Sequence, residues 1–96
     1  KRSHTIKKII EEVDNGMPVV HAGIIESARV LVTKTNQRMA FIKIADFTGS
    51  MEAVVFPRTF EKVANVIVAD SIIAFSGKVS VRNGEKSINI EELKAI

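Results

Sequence analysis

The 96 residues suffice for one domain with one small core, because 46% of them are apolar. Cysteine is absent, which excludes disulfides and cysteine-ligated metals and fits a reducing, cytoplasmic setting. The net charge of +3 is too small to name a partner, and no apolar run approaches the roughly 20 residues of a membrane span.

Ser3 to Asn15 reads as a helix, with Ile6, Ile9, Ile10 and Val13 three and four residues apart. Ser3 or Thr5 is its expected cap and Asn15-Gly16 its stop. This segment is taken as a lead-in over residues 1–18, the barrel proper occupying 19–96. No signal-peptide pattern precedes it, and a start at Lys1 rather than Met is that of a fragment or a processed product.

Val19 to Val32 is a long strand rich in β-branched residues, whose alternation slips near Gly23-Ile24-Ile25. A glycine there permits a bulge or bend, so that one strand can serve both sides of a small barrel. A polar loop, Thr33 to Arg38, leads to a second strand, Met39 to Ala45. In that strand Ala40, Ile42 and Ile44 form a core face, while Met39, Phe41 and Lys43 point outward. Asp46 to Ser50 is a turn, in which Asp46 bonds the local backbone and Gly49 takes a positive φ.

The third strand runs from Met51 to Phe56. Pro57 ends it and opens a short helix, Arg58 to Val66. Ser71 to Arg82 and Glu85 to Glu92 are the fourth and fifth strands, and Asn83-Gly84 between them signals a two-residue type I′ hairpin. That turn predicts the pairs Arg82 with Glu85, Val81 with Lys86, and Val79 with Ile88. It puts Val79, Val81, Ile88 and Ile90 on the core face. Lys78, Ser80, Arg82, Ser87 and Asn89 fall on the outer face, and Lys86 is expected to reach past the core to water. Phe47, Phe56, Phe60 and Phe75 are assigned to the core, Phe56 with ambiguous parity.

Positive charge is concentrated. Between Ser27 and Ala45 lie Arg29, Lys34, Arg38 and Lys43 with no acidic residue, so this window carries +4 and the remainder −1. Such clustering suits a polyanion, although a solvated surface charge is the ordinary reading for any one of these side chains. Five strands with a helix between the third and fourth make an all-β domain with short helices: the five-stranded Greek-key barrel known as the OB-fold, here with an extra N-terminal helix. Such barrels bind oligonucleotides on strands two and three, between the loops that join strands one to two and four to five.

A collinear series of residues sharpens this. Ala22-Gly23-Ile24-Ile25, Thr33-Lys34, Met39-Ala40-Phe41, Asp46-Phe47-Thr48-Gly49-Ser50-Met51-Glu52, Val54-Val55-Phe56-Pro57 and Gly77-Lys78-Val79-Ser80 with Arg82 resemble the OB domain of bacterial replicative DNA polymerase III α subunits. That group is in turn similar to the anticodon-binding OB domains of class II aminoacyl-tRNA synthetases. The resemblance spans roughly residues 19–92. It implies a module that binds single-stranded DNA beside the other domains of a polymerase chain, with the catalytic carboxylates elsewhere.

Phe41 is the expected stacking platform; in the synthetase relatives the matching aromatic stacks on a base. Its alternative is packing under a neighbouring loop. Arg29, Lys34, Arg38 and Lys43 are candidate phosphate contacts. Lys78 and Arg82 are candidates for the far side of the cleft, although Glu85 opposite Arg82 offers a cross-strand ion pair. Glu52 stands where relatives place a polar side chain toward the base, or else balances Lys43.

His4 and His21 lack a second ligand at a usable spacing, Glu11-Glu12 and Glu91-Glu92 read as solvated, and enzyme motifs are missing. Neighbouring strand residues point apart, so Glu91 and Glu92 are not expected to share a proton. The expectation is a monomeric, cofactor-free, non-catalytic cytoplasmic domain that binds single-stranded DNA with little sequence preference. RNA binding and protein docking are the alternatives.

Overall fold

The computed structural model describes residues 5–96. In chain order the elements are α1 (Ile6–Glu12), β1 (Pro18–Val32), β2 (Arg38–Asp46), β3 (Gly49–Val55), α2 (Pro57–Val63), a 3₁₀ turn (Ala64–Val66), β4 (Ile72–Arg82) and β5 (Glu85–Ala95). The strands close into a barrel in the order β1-β2-β3-β5-β4. Neighbours are antiparallel except β3 and β5, which run parallel. This is the predicted five-stranded topology, with α2 between β3 and β4.

Closure depends on β1. Its first half pairs with β4 and its second half with β2; Ile24 belongs to both ladders, opposite Ile72 and Ala45. The bulge lies between Ile25 and Ser27, just beyond the segment where the alternation slips. Gly23 allows a close approach instead, since a Cβ there would lie 2.6 Å from the Ala45 carbonyl oxygen. The strands cross so closely at the bend that only glycine fits.

Each barrel end is plugged by a helix. At one end, Ile6 and Ile9 of α1 are fully buried. Thr5 caps this helix by accepting from the Lys8 amide; Ser3 and His4 lie outside the described residues. The helix stops at Glu12, earlier than predicted, because Val13 is already extended and turns its side chain into the core. Asn15-Gly16 serves instead to cover the edge of β4: Asn15 Oδ1 accepts from the Val81 amide, and the Gly16 amide donates to the Val79 carbonyl. At the other end, Pro57 starts α2, and Phe60 and Val63 enter the core.

The Asn83-Gly84 hairpin has both residues at positive φ, +55° and +81°, and all three predicted cross-strand pairs are present. Val79, Ile88 and Ile90 are buried, but Val81 is 40% exposed because the hairpin tip runs past the end of the core. Lys86 is half-buried at the rim of the core. Its Nζ donates to the Ile9 carbonyl of α1 at 3.3 Å, an oxygen that also accepts from the Val13 amide. In β5 the register passes from Glu92↔Ser76 to Ile90↔Gly77, leaving Glu91 as the extra residue of a bulge. Glu91 and Glu92 are therefore both exposed rather than strictly alternating.

Phe60 and Phe75 are in the core as expected, but Phe47 is 93% exposed and Phe56 46% exposed. Phe47 sits at the tip of the β2–β3 turn, with no strand beyond it to pack against. Phe56 is the cap residue at which the chain leaves the sheet for α2.

A Gly23→Ala substitution is expected to lower unfolding stability by about 1–3 kcal/mol, since the added methyl must displace backbone. Urea unfolding of the two proteins checks this.

Candidate nucleic-acid interface

Outward-facing positions on the strands follow from register. One row runs Arg29–Phe41–Val54–Asn89–Lys78 across β1, β2, β3, β5 and β4; the next runs Ser27–Lys43–Glu52–Ser87–Ser80. Both exist because residues alternate between faces, so the burial of Ala40, Ile42 and Ile44 turns Phe41 and Lys43 outward. A cleft on the β1–β2–β3 side is lined by Ser27, Ala28, Arg29, Phe41, Ile42, Lys43 and Glu52.

Phe41 is half-buried, and the Arg29 guanidinium lies 5.7 Å from its ring centroid. This is a cation–π arrangement between directly paired residues. Lys43 and Glu52 are also directly paired, yet among the described residues the ion pairs are His21–Asp46 and Lys78–Glu91. Cation, ring, cation and carboxylate thus share one small surface.

The other candidates lie around this centre. Lys34 stands in the β1–β2 turn, held by the Thr33 amide donating to the Gln37 carbonyl and by Asn36 at φ +66°. Arg38 is the first residue of β2, not the end of a loop, and shares the inward parity of Ala40. Its guanidinium packs 5.5 Å from the Phe60 ring centroid at the α2 end of the barrel. Parity separates it from Phe41. Arg82 is at the β4–β5 tip, opposite Glu85 but not ion-paired to it among the described residues. Lys78 closes the first row on the far flank, with its Nζ 3.9 Å from Glu91. Val54, Asn89 and Ser87 also belong to these rows. Asn89 and Ser87 were expected on the outer face, but their place beside Val54 and Glu52 depends on the parallel β3–β5 register, which no local turn announces.

A second polar cluster also escaped the sequence reading. Asp46 does the turn chemistry expected of it, its Oδ1 accepting from the Thr48 amide (2.7 Å), Thr48 Oγ1 (2.6 Å) and the Gly49 amide (3.2 Å). Its Oδ2 also accepts from the Ile6 amide at 2.9 Å and meets His21 Nε2 at 2.6 Å. His21 is spoken for by this contact, and its ring stands edge-on to Phe75. One carboxylate therefore ties the β2–β3 turn, α1 and β1 together. Among the described residues no group of three or more acidic or histidine side chains is arranged for a metal, and no helix is long and apolar enough to cross a membrane.

The comparisons with known proteins agree with the fold. Residues 7–96 match the family model described as "OB-fold nucleic acid binding domain". The chain belongs to that family. The OB domain is 39% identical over 59 residues to the DNA polymerase III α subunit of Bacillus subtilis, covering 62% of this chain and 5% of the relative. It is 32% identical over 77 residues to that of Aquifex aeolicus, covering 80% and 7%. The chain thus spans less than a tenth of the length of these relatives, and what it matches is a non-catalytic binding module.

Among solved structures, asparaginyl-tRNA synthetase from Pyrococcus horikoshii superposes with a TM-score of 0.74 at 24% identity, covering 99% of this chain and 23% of the synthetase. A replication protein A heterotrimer bound to single-stranded DNA superposes at 0.67 and 14%, covering 84% and 57%. At these identities the likeness is one of fold.

Burial raises the Asp46 pKa, but hydrogen bonds from Thr48 Oγ1, the Ile6 and Thr48 amides and His21 outweigh it and hold the carboxyl well below the usual carboxylate range. A carboxyl depressed in the folded state stabilises the fold above its unfolded value of about 3.9, and that contribution is lost as pH falls below it. Urea unfolding between pH 6 and pH 3 is expected to show the wild type losing stability below about pH 4 more steeply than Asp46→Asn. The gap between the two proteins narrows with acid.

Proposed function

We propose that this OB domain binds single-stranded DNA, acting as the nucleic-acid-binding module of a replicative polymerase α subunit and holding the template strand. The observation that carries the reading is the outward Phe41 ring on β2 with Arg29 and Lys43 beside it. A ring flanked by cations is what a single strand needs, because every base has a face to stack and every nucleotide a phosphate to pair. In the free protein Arg29 occupies the Phe41 ring. An incoming base takes that place, and the released guanidinium turns to the adjoining phosphate.

Lys43 and Lys34 extend the positive track along the β1–β2 hairpin. Lys78 and Arg82 serve the far flank, Lys78 after release from its long, exposed pairing with Glu91. Arg38 contributes least, since its guanidinium is engaged with Phe60. The similarity to DNA polymerase III α subunits and to a replication protein A bound to single-stranded DNA supports DNA as the ligand. The domain works as a monomer in the cytoplasm, without a cofactor. The family's anticodon-binding connection, together with the likeness to a tRNA synthetase, favours RNA as the second reading.

Fluorescence anisotropy with labelled oligo-dT and oligo-U, at low and moderate salt, tests the proposal. Binding to oligo-dT is expected to weaken roughly tenfold or more in Phe41→Ala, in line with about 1–3 kcal/mol per stacked base. Lys43→Ala is expected to reduce the slope of log affinity against log salt by about 0.7, the effect of one phosphate contact on a single strand. Preference for oligo-U would move the assignment to RNA, where the 2′-hydroxyl is read. Binding indifferent to both substitutions and to salt would point to a protein-docking role.

A further inference from the structure

We infer that Phe47 is a second stacking platform, which extends the track for a single strand of DNA along β2 from Phe41 toward the α1 end of the barrel. The inference rests on the single-strand reading above and lengthens its site. The two outward rows carry a strand as far as Phe41 and Lys43, and the outward side of β2 gives it a continuation. Phe41, Lys43, Ala45 and Phe47 recur at every second position and so share a side. Phe47 keeps that parity past the end of the strand, because Asp46 beside it turns inward, its Oδ2 accepting from the Ile6 amide of α1.

A single exposed apolar side chain is ordinary in itself; what stands under and around this one is not. At 93% exposure Phe47 is the most open large apolar side chain among the described residues. The turn that carries it is fixed, since Asp46 Oδ1 accepts from the Thr48 amide, Thr48 Oγ1 and the Gly49 amide, and Thr48 Oγ1 accepts from the Lys7 amide at 3.1 Å. A ring on a fixed turn has little freedom left to lose when a base lies on it.

The way from one ring to the other is open. The row between Lys43 and Phe47 is Ile24–Ala45–Ser50, which holds no carboxylate to repel phosphate. Beyond it, Lys7 and Lys8 are exposed, and neither is in an ion pair among the described residues. A ring with basic residues at hand thus marks each end of the track. Phe47 lies six positions after Phe41, roughly 20 Å at about 3.3 Å per residue of strand. Stacked nucleotides rise about 3.4 Å each. A strand of about six or seven therefore reaches both rings, within the roughly 4–16 that one OB fold holds. A trimer, spanning about 7 Å, reaches one ring only.

The test is anisotropy of a labelled thymidine trimer and dodecamer at low salt, with Phe41→Ala and Phe47→Ala beside the wild type. Phe41→Ala is expected to weaken both oligomers. Phe47→Ala is expected to weaken the dodecamer about tenfold, within the range for one stacked base, and to leave the trimer and urea unfolding unchanged. The chain has no tryptophan or tyrosine, so Phe47→Trp installs a single indole. Its emission is expected to be quenched as the dodecamer binds and to ignore the trimer. Wild-type affinity of Phe47→Ala for the dodecamer, or indole emission indifferent to bound dodecamer, would overturn the assignment while leaving binding through Phe41 intact. Equal weakening of both oligomers by Phe47→Ala would overturn it too, since the ring would then support the first cleft rather than hold a distant base. Failure of the wild type to bind the dodecamer would overturn the single-strand reading and this inference with it.

Discussion

The structure hangs on a single bend. Five short strands close into a barrel only if one of them faces two neighbours, and β1 does so by passing from β4 to β2 at Ile24. The bend needs a close crossing, which Gly23 permits, and an extra residue to swing the second half of the strand, which the bulge before Ser27 supplies. From that swing the β1–β2 hairpin gains its direction, and Arg29 is brought opposite Phe41. The candidate interface is thus a by-product of closure rather than an addition to it.

The two helices complete what the strands leave open. A small barrel has ends through which water would reach the core, and here α1 and α2 fill one end each with isoleucine, phenylalanine and valine. The α1 end is secured by polar contacts as well as by packing, since Asp46 receives the Ile6 amide and Lys86 reaches the Ile9 carbonyl. Both of these groups belong to strands that carry outward site residues. The plug, the β2–β3 turn and the register of β2 are therefore one mechanical unit, with the candidate site on its opposite surface.

The fold was largely legible in the sequence because its information is local. The alternation in β2, the Asn83-Gly84 turn and the proline after β3 each act within a few residues, and each led to the right element and the right register. What escaped reading depends on contacts far apart in the chain. Val81 has the right parity for the core but lies past its end. Lys86 finds the Ile9 carbonyl 77 positions away. Arg38 was grouped with the cleft on charge, but its parity sends it to Phe60 instead. At the site, Phe41, Arg29, Lys43 and Glu52 gather as their spacing implied. The flanking members from β5 depend on a parallel pairing that no turn announces, so Asn89 and Ser87 joined only once the barrel was closed.

That parallel pairing has a consequence of its own. β3 and β5 share a register of only three residue pairs, from Glu52↔Ser87 to Val54↔Asn89, the shortest seam in the barrel. Parallel ladders are also slightly weaker per residue than antiparallel ones. The seam crosses both outward rows, so a strand of nucleic acid laid across β2, β3 and β5 bridges it. A ligand that binds only the closed form raises the free energy of opening at its own site. On the proposed placement a bound strand would act as a removable hoop, tightening the barrel where its own chain holds it least.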